Sequence, residues 1–429
     1  MATAQSGGPE ASRLIVTLDQ LISSQRRFDE CAAALLRTAP WVLLVVPFWL
    51  ARGGRAHAIS RMVDRLEQEG SLPNPQFLPY DARTLAALRS SAASTSVAID
   101  RNDLLSRRIG EQIAGWTGAR VVAHDSSSAS LPRGDLYSLQ LRPLLDAVRT
   151  RQWVKNLIVF TPVVLAHQLT NALAVASAAA AFAAFSALAS ALYIVNDLVD
   201  LERDRHHSVK RRRALASGAM PIRYGVVSAA LLVVAAVAIA MQLPAAVGLL
   251  LAAYATLASL YSWTLKRLMM LDLVILAGFY TIRILVGGWA TGIPISKWTL
   301  IWSMFVFLTL AIAKRLTELR RRLLKDVSRQ YGRAYQAEDI PILLSLAAST
   351  SGLSVLVLAL YLESSDVAPL YRHPEFLWFI CPLLMYWTGR LLILANRGTL
   401  DDDPVRFAVT DRASYVVLAL AICCVVLAS

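Results

Sequence analysis

The chain has 429 residues, of which 56% are hydrophobic and 17% charged, and its mean hydropathy is +0.49. This composition excludes a purely soluble globular protein and indicates a membrane protein with a further part attached. The net charge of +13 would suit a nucleic-acid partner, but the basic residues lie at the ends of apolar runs, where they orient membrane spans. We therefore expect no nucleic-acid binding.

The sequence of the first part of the chain predicts a small unit outside the membrane. Three short segments with strand-like composition alternate with helical stretches; they are residues 14–20, 94–100 and 119–125. This alternation is typical of an α/β unit with a parallel sheet. We place this domain at residues 1–125 and a linker, which opens with a serine-rich run, at 126–144.

Residues 41–50 are strongly apolar but too few to span a bilayer. We expect them to pack on the membrane surface or on the other domain. The N-terminus lacks a basic region followed by an apolar core, so no cleaved signal sequence is expected. The four cysteines have no metal-ligand spacing and indicate no disulfide framework.

Residues 16–22, Val-Thr-Leu-Asp-Gln-Leu-Ile, resemble a decayed copy of the Asp-x-Asp-x-Thr motif that opens phosphatases of the haloacid dehalogenase (HAD) type. The resemblance places Thr17 at that family's nucleophilic aspartate, Asp19 at its general acid and Ile99 at its second-motif hydroxyl residue. Covalent phosphoryl transfer cannot start without the nucleophile. We predict a degenerate, non-catalytic HAD-like domain; a plain α/β scaffold would have the same consequence.

From residue 145 to 429 the sequence predicts an all-α polytopic membrane bundle of about nine transmembrane helices. The apolar runs are close to the length that a bilayer requires, and some are relieved by small residues. They are residues 153–169, 173–195, 222–242, 244–263, 271–290, 298–313, 340–361, 375–395 and 412–428.

The loops between these runs predict the orientation of the chain. If the N-terminal domain is cytoplasmic, the inward loops are 196–221, 264–270, 314–339 and 396–411, and the first three are rich in arginine and lysine. The outward loops are short or poor in these residues, as the positive-inside rule requires. We expect a multi-pass protein of the bacterial inner (cytoplasmic) membrane, with its N-terminus and active site on the cytoplasmic side.

An apolar run becomes a dense polar cluster at residues 191–218. Asp197, Asp200 and Asp204 are three and seven positions apart, so on a helix they share one face. Acids on one face repel each other unless a cation such as Mg²⁺ lies between them, and the basic run at 210–213 could bind phosphate oxygens. A diphosphate substrate suits both the acids, through a bound cation, and the basic run. The alternative is a solvated helix end in which nearby arginines neutralise the acids.

Two other polar groups give weaker indications of a binding site than this cluster does. His206 and His207 are adjacent, so on a helix they point about 100° apart and do not converge on a zinc ion. The acids at 401–403 lie beside Pro404 and nearby arginines, which favours a solvated loop.

The stretch from Asn196 to Gly218 resembles the signature N-D-x-x-D-x-x-x-D-R-x-H-P-x-K-x-x-R-P-x-x-x-G of the UbiA superfamily of intramembrane prenyltransferases. Ser208 and Ala214 stand where prolines are usual. The resemblance covers about residues 145–429. It implies that the three acids are catalytic and bind Mg²⁺. The residues implied to bind substrate in this stretch are Asn196, Arg205, His207, Lys210 and Arg213.

Further motifs are similar to one branch of that superfamily, the decaprenyl-phosphate phosphoribosyltransferases. They are Arg-Gln-Trp-Val-Lys-Asn at 151–156, Leu-Tyr-Ser-Trp-Thr-Leu-Lys at 260–266, Tyr-Thr-Ile-Arg at 280–283 before the glycines at 287–288, Ile-Ser-Lys-Trp at 295–298, Ala-Lys-Arg at 313–315 with Glu318, and Asp-Arg at 411–412. The matched motifs imply phosphate contacts for Lys155, Asn156 and Lys266. Arg283 lies inside an apolar span, where a charge is costly, and is expected to bind phosphate. Tyr193 could face the ribose or merely pack.

A second acidic motif is missing from the sequence. Members of the superfamily with aromatic acceptors carry a later D-x-x-x-D motif, whereas this region offers only Asp272, followed by apolar residues. One acidic cluster with many cations favours a phosphoribosyl diphosphate donor over a prenyl diphosphate. Asp272 itself is left open between a helix N-terminal residue and a site residue.

The resemblance therefore implies an Mg²⁺-dependent membrane transferase that moves a phosphoribosyl group from 5-phosphoribosyl 1-diphosphate to a polyprenyl (decaprenyl-like) phosphate. One alternative is a prenyltransferase that moves the polyprenyl group from its diphosphate to an aromatic or other polar acceptor. Another is a non-enzymatic membrane transporter or scaffold, for which the apolar spans alone would suffice. The lipid chain length, the donor sugar and the oligomeric state, a homo-oligomer included, are left open.

Overall fold

The computed structural model describes residues 14–90, 95–99, 104–123, 141–207, 209–324, 335–364, 371–400, 407–408 and 410–428. The chain divides into two compact units, residues 1–150 with 193–231 and residues 151–192 with 232–429. The predicted domain boundaries differ from this division and stay a prediction. The serine-rich run at 126–130, Ser208, the acids at 401–403 and the side chains of Thr17 and Asp19 lie outside the described residues.

The first unit contains a three-stranded sheet with the strand order β1-β2-β3. Its strands are β1 (Leu14–Thr17), β2 (Thr95–Ile99) and β3 (Arg120–Ala123), and both pairings are parallel. The predicted parallel α/β unit is thus confirmed, because all three strands fall inside the segments chosen from the sequence. The likeness to the HAD family stays a prediction.

Helices surround this sheet in the first unit. They are α1 (Leu18–Leu21), α2 (Ser24–Thr38), α3 (Val46–Gln68), α4 (Ala82–Ser90), α5 (Leu104–Thr117) and α6 (Leu141–Val148). The core between sheet and helices includes Leu35, Met62 and Ile109, all fully buried. Ser23 begins α2 by accepting a hydrogen bond from the backbone N–H of Arg26, which satisfies one of the free donors at the helix start.

The membrane part of the chain is helical. Its helices are α7 (Thr161–Leu165), α8 (Ala172–Val199), α9 (Leu201–His206), α10 (Ile222–Ala240), α11 (Ala245–Trp263), α12 (Leu271–Thr291), α13 (Lys297–Leu324), α14 (Ile340–Leu362), α15 (Ile380–Asn396) and α16 (Arg412–Ala428). Seven helices among the described residues are long and apolar enough to cross a membrane: α8, α10 to α14, and α15 with the 3₁₀ turn before it. The predicted multi-pass helical architecture is confirmed.

Two of the nine predicted spans differ from the expectation. The first, 153–169, is not one long α-helix: a 3₁₀ helix, Thr150–Phe160, leads into the short α7. The last, α16, has 17 residues and is about 25 Å long, slightly less than a hydrocarbon core of about 30 Å. Hydropathy finds apolar segments, but it does not distinguish a 3₁₀ helix from an α-helix.

In the second unit, a close backbone approach positions the 3₁₀ helix Thr150–Phe160 against α12. A Cβ added at Gly287 would lie 1.9 Å from the carbonyl oxygen of Val159, so no larger residue fits there without movement of the backbone. The same approach lies three residues from Asn156, whose side chain is buried. Gly287 therefore sets the distance between α12 and a segment that carries a predicted site residue.

We expect Gly287→Ala to destabilise the second unit, because an extra methyl group in a packed interface costs about 1–3 kcal/mol. Gly278→Ala on the same helix is the matched control, since nothing lies within 4 Å of a Cβ at Gly278 and alanine favours helix by about 1 kcal/mol. Thermal unfolding in detergent should show a lower midpoint for the first variant and an equal or higher one for the second. Equal midpoints for both variants would contradict this packing.

Candidate functional site

In the first unit, two buried aspartates share one arginine. Asp197 lies near the end of α8 and Asp204 in α9, and both side chains are almost fully buried. The Nη1 atom of Arg213 donates to Asp197 Oδ1 at 3.0 Å and to Asp204 Oδ2 at 2.5 Å. Two of the three predicted acids thus lie on either side of one cation.

Two more cations surround this pair. Arg149 Nη2 donates to Asp197 Oδ1 at 2.5 Å, and its guanidinium lies 4.8 Å from the ring centre of Tyr193. Lys210 Nζ lies 3.8 Å from Asp204 Oδ1. Arg149 is a site residue that the motifs do not include; its position two residues before the matched motif at 151–156 was the available signal. Its backbone φ of 55° is unusual for a residue other than glycine.

One carboxylate oxygen in this cluster accepts no hydrogen bond from the described residues. Asp204 Oδ1 is buried and receives no hydrogen bond from any residue in the described parts of the chain. Burial raises the pKa of Asp204 above its usual value, and the charges of Arg213 and Lys210 offset only part of this rise. A buried carboxylate oxygen without a donor is a suitable ligand for a cation. On this observation the Asp197 and Asp204 pair fits a divalent cation such as Mg²⁺.

The third acid, Asp200, has a different partner from the other two. α8 ends at Val199 and α9 begins at Leu201, and Asp200 between them has non-helical backbone angles. Its carboxylate pairs with the exposed Arg203 at 3.3 Å. Within the described residues, no three Asp, Glu, His or Cys side chains form a group that could hold a metal ion. Asp200 is therefore not gathered with the other two acids, and its role as a ligand stays a prediction.

Arg205 has structural partners within the first unit, and its predicted contact with substrate stays a prediction. Its Nη1 and Nη2 atoms donate to the two carboxylate oxygens of Glu30 at 2.7 and 2.6 Å, and its Nε donates to the carbonyl oxygen of Ala216. Both charged side chains are buried. A bidentate pair of this kind fixes geometry strongly. The structure thus favours Arg205 as the residue that joins α9 to α2 of the same unit.

The other predicted residues of the first unit lie around the two acids. Asn196 precedes Asp197 on α8 and is half-buried. His207 Nδ1 accepts hydrogen bonds from the backbone N–H groups of Val209 and Lys210, at 3.2 and 3.4 Å. This contact shapes the turn that presents Lys210. Tyr193 packs under Arg149, which supports the packing alternative for this side chain.

The second unit contains a separate buried cation. Arg283 on α12 is 4% exposed, and its Nε donates to Asn156 Oδ1 at 2.9 Å. Asn156 donates in turn to Ser186 Oγ. The Arg283 guanidinium also lies within 6 Å of three aromatic ring centres, those of Phe185, Tyr254 and Tyr280. No Asp or Glu among the described residues pairs with it.

An apolar cavity of about 460 Å³ lies in the same unit, between α8, α10 and α11. Leu188 and Leu251 line it, each three residues from an aromatic contact of Arg283, Phe185 on α8 and Tyr254 on α11. Three residues of helix correspond to about 4.5 Å. The cavity is thus within a helical turn of two of the side chains that enclose the Arg283 guanidinium.

The remaining predicted residues of the second unit are two lysines and Asp272. Lys155 and Lys266 are half-buried, in the 3₁₀ helices Thr150–Phe160 and Leu265–Arg267. Asp272 is buried and accepts hydrogen bonds from Arg315 Nη2 at 2.6 Å and from the Tyr335 hydroxyl at 2.8 Å. These contacts favour a structural role for Asp272, because its carboxylate already has a cation and a hydroxyl donor.

Comparison with known proteins identifies relatives. The chain is 33% identical over 278 residues to the protein y4nM of Sinorhizobium fredii, covering 64% of this chain and 54% of that protein. It is 32% identical over 282 residues to the nodulation protein NoeC of Azorhizobium caulinodans, covering 65% and 90%. It is 36% identical over 181 residues to the decaprenyl-phosphate phosphoribosyltransferase of Mycolicibacterium smegmatis, covering 41% and 57%. The chain thus spans little more than half the length of the first and third relatives.

A solved structure of a UbiA homologue from Archaeoglobus fulgidus, bound to DMAPP and Mg²⁺, is 14% identical to the chain with a TM-score of 0.49, covering 65% of this chain and 98% of that one. The model of the UbiA prenyltransferase family matches residues 157–413, which contain the acids at the end of α8, the basic turn after them and Arg283. With this match over more than half of the sequence, and with 90% of NoeC covered, the chain belongs to the UbiA prenyltransferase family.

Proposed function

We propose that the chain transfers a 5-phosphoribosyl group from 5-phosphoribosyl 1-diphosphate to a polyprenyl phosphate. The observation that carries this proposal is the pair of buried carboxylates, Asp197 and Asp204, among the cations Arg149, Lys210 and Arg213. Such a cluster suits a substrate with several phosphate groups and a bound divalent cation. The mycobacterial relative, whose name states this activity, supports the choice of donor.

Asp197 and Asp204 would hold Mg²⁺, with Asp200 as a further candidate ligand. When bound, the cation would supply electrostatic stabilisation to the departing diphosphate. Arg149, Lys210 and Arg213 would contact the phosphate oxygens and offset the charge that develops as the diphosphate leaves. His207 would act indirectly, by holding the turn that presents Lys210.

The reaction needs little acid or base catalysis. The bond between C1 of the ribose and the diphosphate oxygen breaks, and its electron pair leaves with the diphosphate. An oxygen of the lipid phosphate forms the new bond to C1. Because that phosphate is already ionised near neutral pH, no side chain has to remove a proton from it. The protein's contribution is therefore binding, orientation and charge balance.

The polyprenyl phosphate acceptor would bind to the second unit. Arg283 is a buried cation without an acidic partner among the described residues, and an anionic phosphate would balance its charge. The apolar cavity beside its aromatic neighbours would hold part of the polyprenyl chain. Val237 on α10, Leu249 on α11 and Met241 between these helices are exposed and would face lipid in a membrane.

We place the protein in the bacterial inner membrane, with the Asp197 cluster at the cytoplasmic face. The concentration of arginine and lysine in the predicted inward loops supports this orientation. Phosphorylated sugars are made in the cytoplasm, so the donor would reach the cluster from that side.

A second candidate function is transfer of the polyprenyl group itself from its diphosphate to a polar acceptor. The family description favours this reaction. Around Asp272, Arg315 donates both to that carboxylate and to Glu318, at 2.6 Å each, and Tyr335 donates to Asp272 as well, so these acids already have a cation between them. No third acid among the described residues joins this pair.

Incubation of the reconstituted protein with labelled 5-phosphoribosyl 1-diphosphate, polyprenyl phosphate and Mg²⁺ should give a labelled lipid. Asp197→Ala should lower the rate about 100-fold or more, since it removes charge stabilisation at the reacting diphosphate. Asp64→Asn, at an exposed position of α3, is the matched control. Consumption of a prenyl diphosphate without labelled lipid from the sugar donor would favour the second function, and turnover of neither substrate would favour a non-enzymatic role.

Arg149→Gln should raise the KM for 5-phosphoribosyl 1-diphosphate by about 10- to 100-fold, because a hydrogen bond to a charged group contributes about 1.5–3 kcal/mol. Arg142→Gln, an exposed arginine on α6, is the control and should leave the KM unchanged. Steady-state kinetics at saturating lipid distinguish the two. An unchanged KM for Arg149→Gln would remove this residue from the donor site.

Gly248→Leu should raise the KM for polyprenyl phosphate several-fold and leave the KM for the sugar donor unchanged, because Gly248 lines the apolar cavity. Gly352→Leu on α14 is the control. Nothing lies within 4 Å of a Cβ added at either glycine, so both substitutions should be tolerated. If both variants have the acceptor KM of the parent protein, the lipid chain does not use this cavity.

A further inference from the structure

The segment that leads into α3 is apolar on both of its sides. It consists of the 3₁₀ helix Pro40–Leu44 and the first turns of α3. Val42 and Val46 are buried in the core of the first unit, and Trp49 packs against that core. The opposite side carries other apolar residues at helical spacing. A surface helix normally has polar residues on the side away from the core, so this second apolar side requires a partner.

Three large side chains form this outward side, and we call them the apolar tip: Trp41, Leu44 and Phe48. Their exposed fractions are 59%, 83% and 57%. The helix is interrupted directly after the tip, since Gly53 and Gly54 have non-helical backbone angles and Gly54 has a φ of 71°. The tip is therefore a separate short element at the surface of the unit.

Arginines accompany the tip. Arg52 lies over the Phe48 ring at 5.9 Å and Arg65 over the Trp41 ring at 5.4 Å. From residue 31 to 63 the sequence contains four arginines and no acidic residue, and three of these, Arg52, Arg55 and Arg61, are exposed. Aromatic side chains with nearby arginines are typical of segments that lie at a membrane interface.

We propose that the apolar tip inserts into the headgroup region of a bilayer that contains anionic lipids, and so attaches the first unit to the membrane surface. Trp41, Leu44 and Phe48 enter the boundary between headgroups and acyl chains. Arg52 and Arg55 pair with lipid phosphates, since basic residues near an anionic leaflet are attracted to it. The segment is too short to span, so it lies in the surface of the membrane.

The charge pattern argues against a second copy of the chain as the partner. A symmetric contact through the same surface would bring the arginines of one copy close to those of the other. Without acidic residues between 31 and 63, nothing in this segment would neutralise them. Anionic headgroups supply that opposite charge, and a membrane is already present because the same chain spans it.

A photo-crosslinking residue tests the proposal in the full chain. We would place p-benzoylphenylalanine at position 44, which is 83% exposed, and reconstitute the protein in vesicles of phosphatidylethanolamine and phosphatidylglycerol. The control carries the same residue at position 68, an exposed site at the other end of α3. Irradiation should give several-fold more phospholipid adduct, detected by mass spectrometry, at position 44 than at position 68.

Two results would overturn the proposal. One is a crosslink from position 44 mainly to residues 151–428 of the same chain, and the other is a crosslink mainly to a second copy. The role of charge is tested with the double variant Arg52→Gln and Arg55→Gln, which should lower the adduct yield at position 44 several-fold in the same vesicles. An unchanged yield would show that the arginines do not contribute.

Discussion

The structure depends on the balance of buried charges, because an ion removed from water is costly unless another charge lies beside it. The described residues meet this requirement in several places: Glu30 pairs with Arg205, Asp272 with Arg315, and Asp197 with Arg149 and Arg213. Asp204 Oδ1 receives no hydrogen bond from the described residues, and the guanidinium of Arg283 pairs with no described acid. These are the positions at which we propose a divalent cation and a lipid phosphate, each of which would bring the opposite charge.

Much of the architecture follows from local sequence patterns. The three strands and the long apolar helices were predictable, since both depend on the composition of a single segment. Asp197 and Asp204 lie close together, as expected, but not on one regular helix, because the helix breaks at Asp200 between them. Their seven-residue spacing therefore does not explain the pairing, and Asp200 pairs with Arg203. A spacing argument holds only where the backbone stays regular.

Other features depend on contacts between residues distant in sequence, which local spacing cannot predict. Arg205 lies within the family signature, but its partner Glu30 is 175 residues away in sequence, and nothing near either residue indicates the pair. Asn156 also binds distant residues, Ser186 and Arg283, and it lies in a segment that hydropathy predicts as a plain span. In the structure this segment is a 3₁₀ helix, which contains the buried polar contacts of Asn156 and the close approach to Gly287. Motifs indicated most of the proposed site residues, with Arg149 as an exception, and the partners of these residues came only from the structure.

The pair of Arg205 and Glu30 has a consequence for how the first unit tolerates change. Loss of α2 would leave a buried arginine of the signature stretch without its counter-ion, which is more damaging than the loss of an exposed charge. The helix α2 therefore serves as scaffolding for the signature stretch, whether or not the strands and helices around it have an activity of their own.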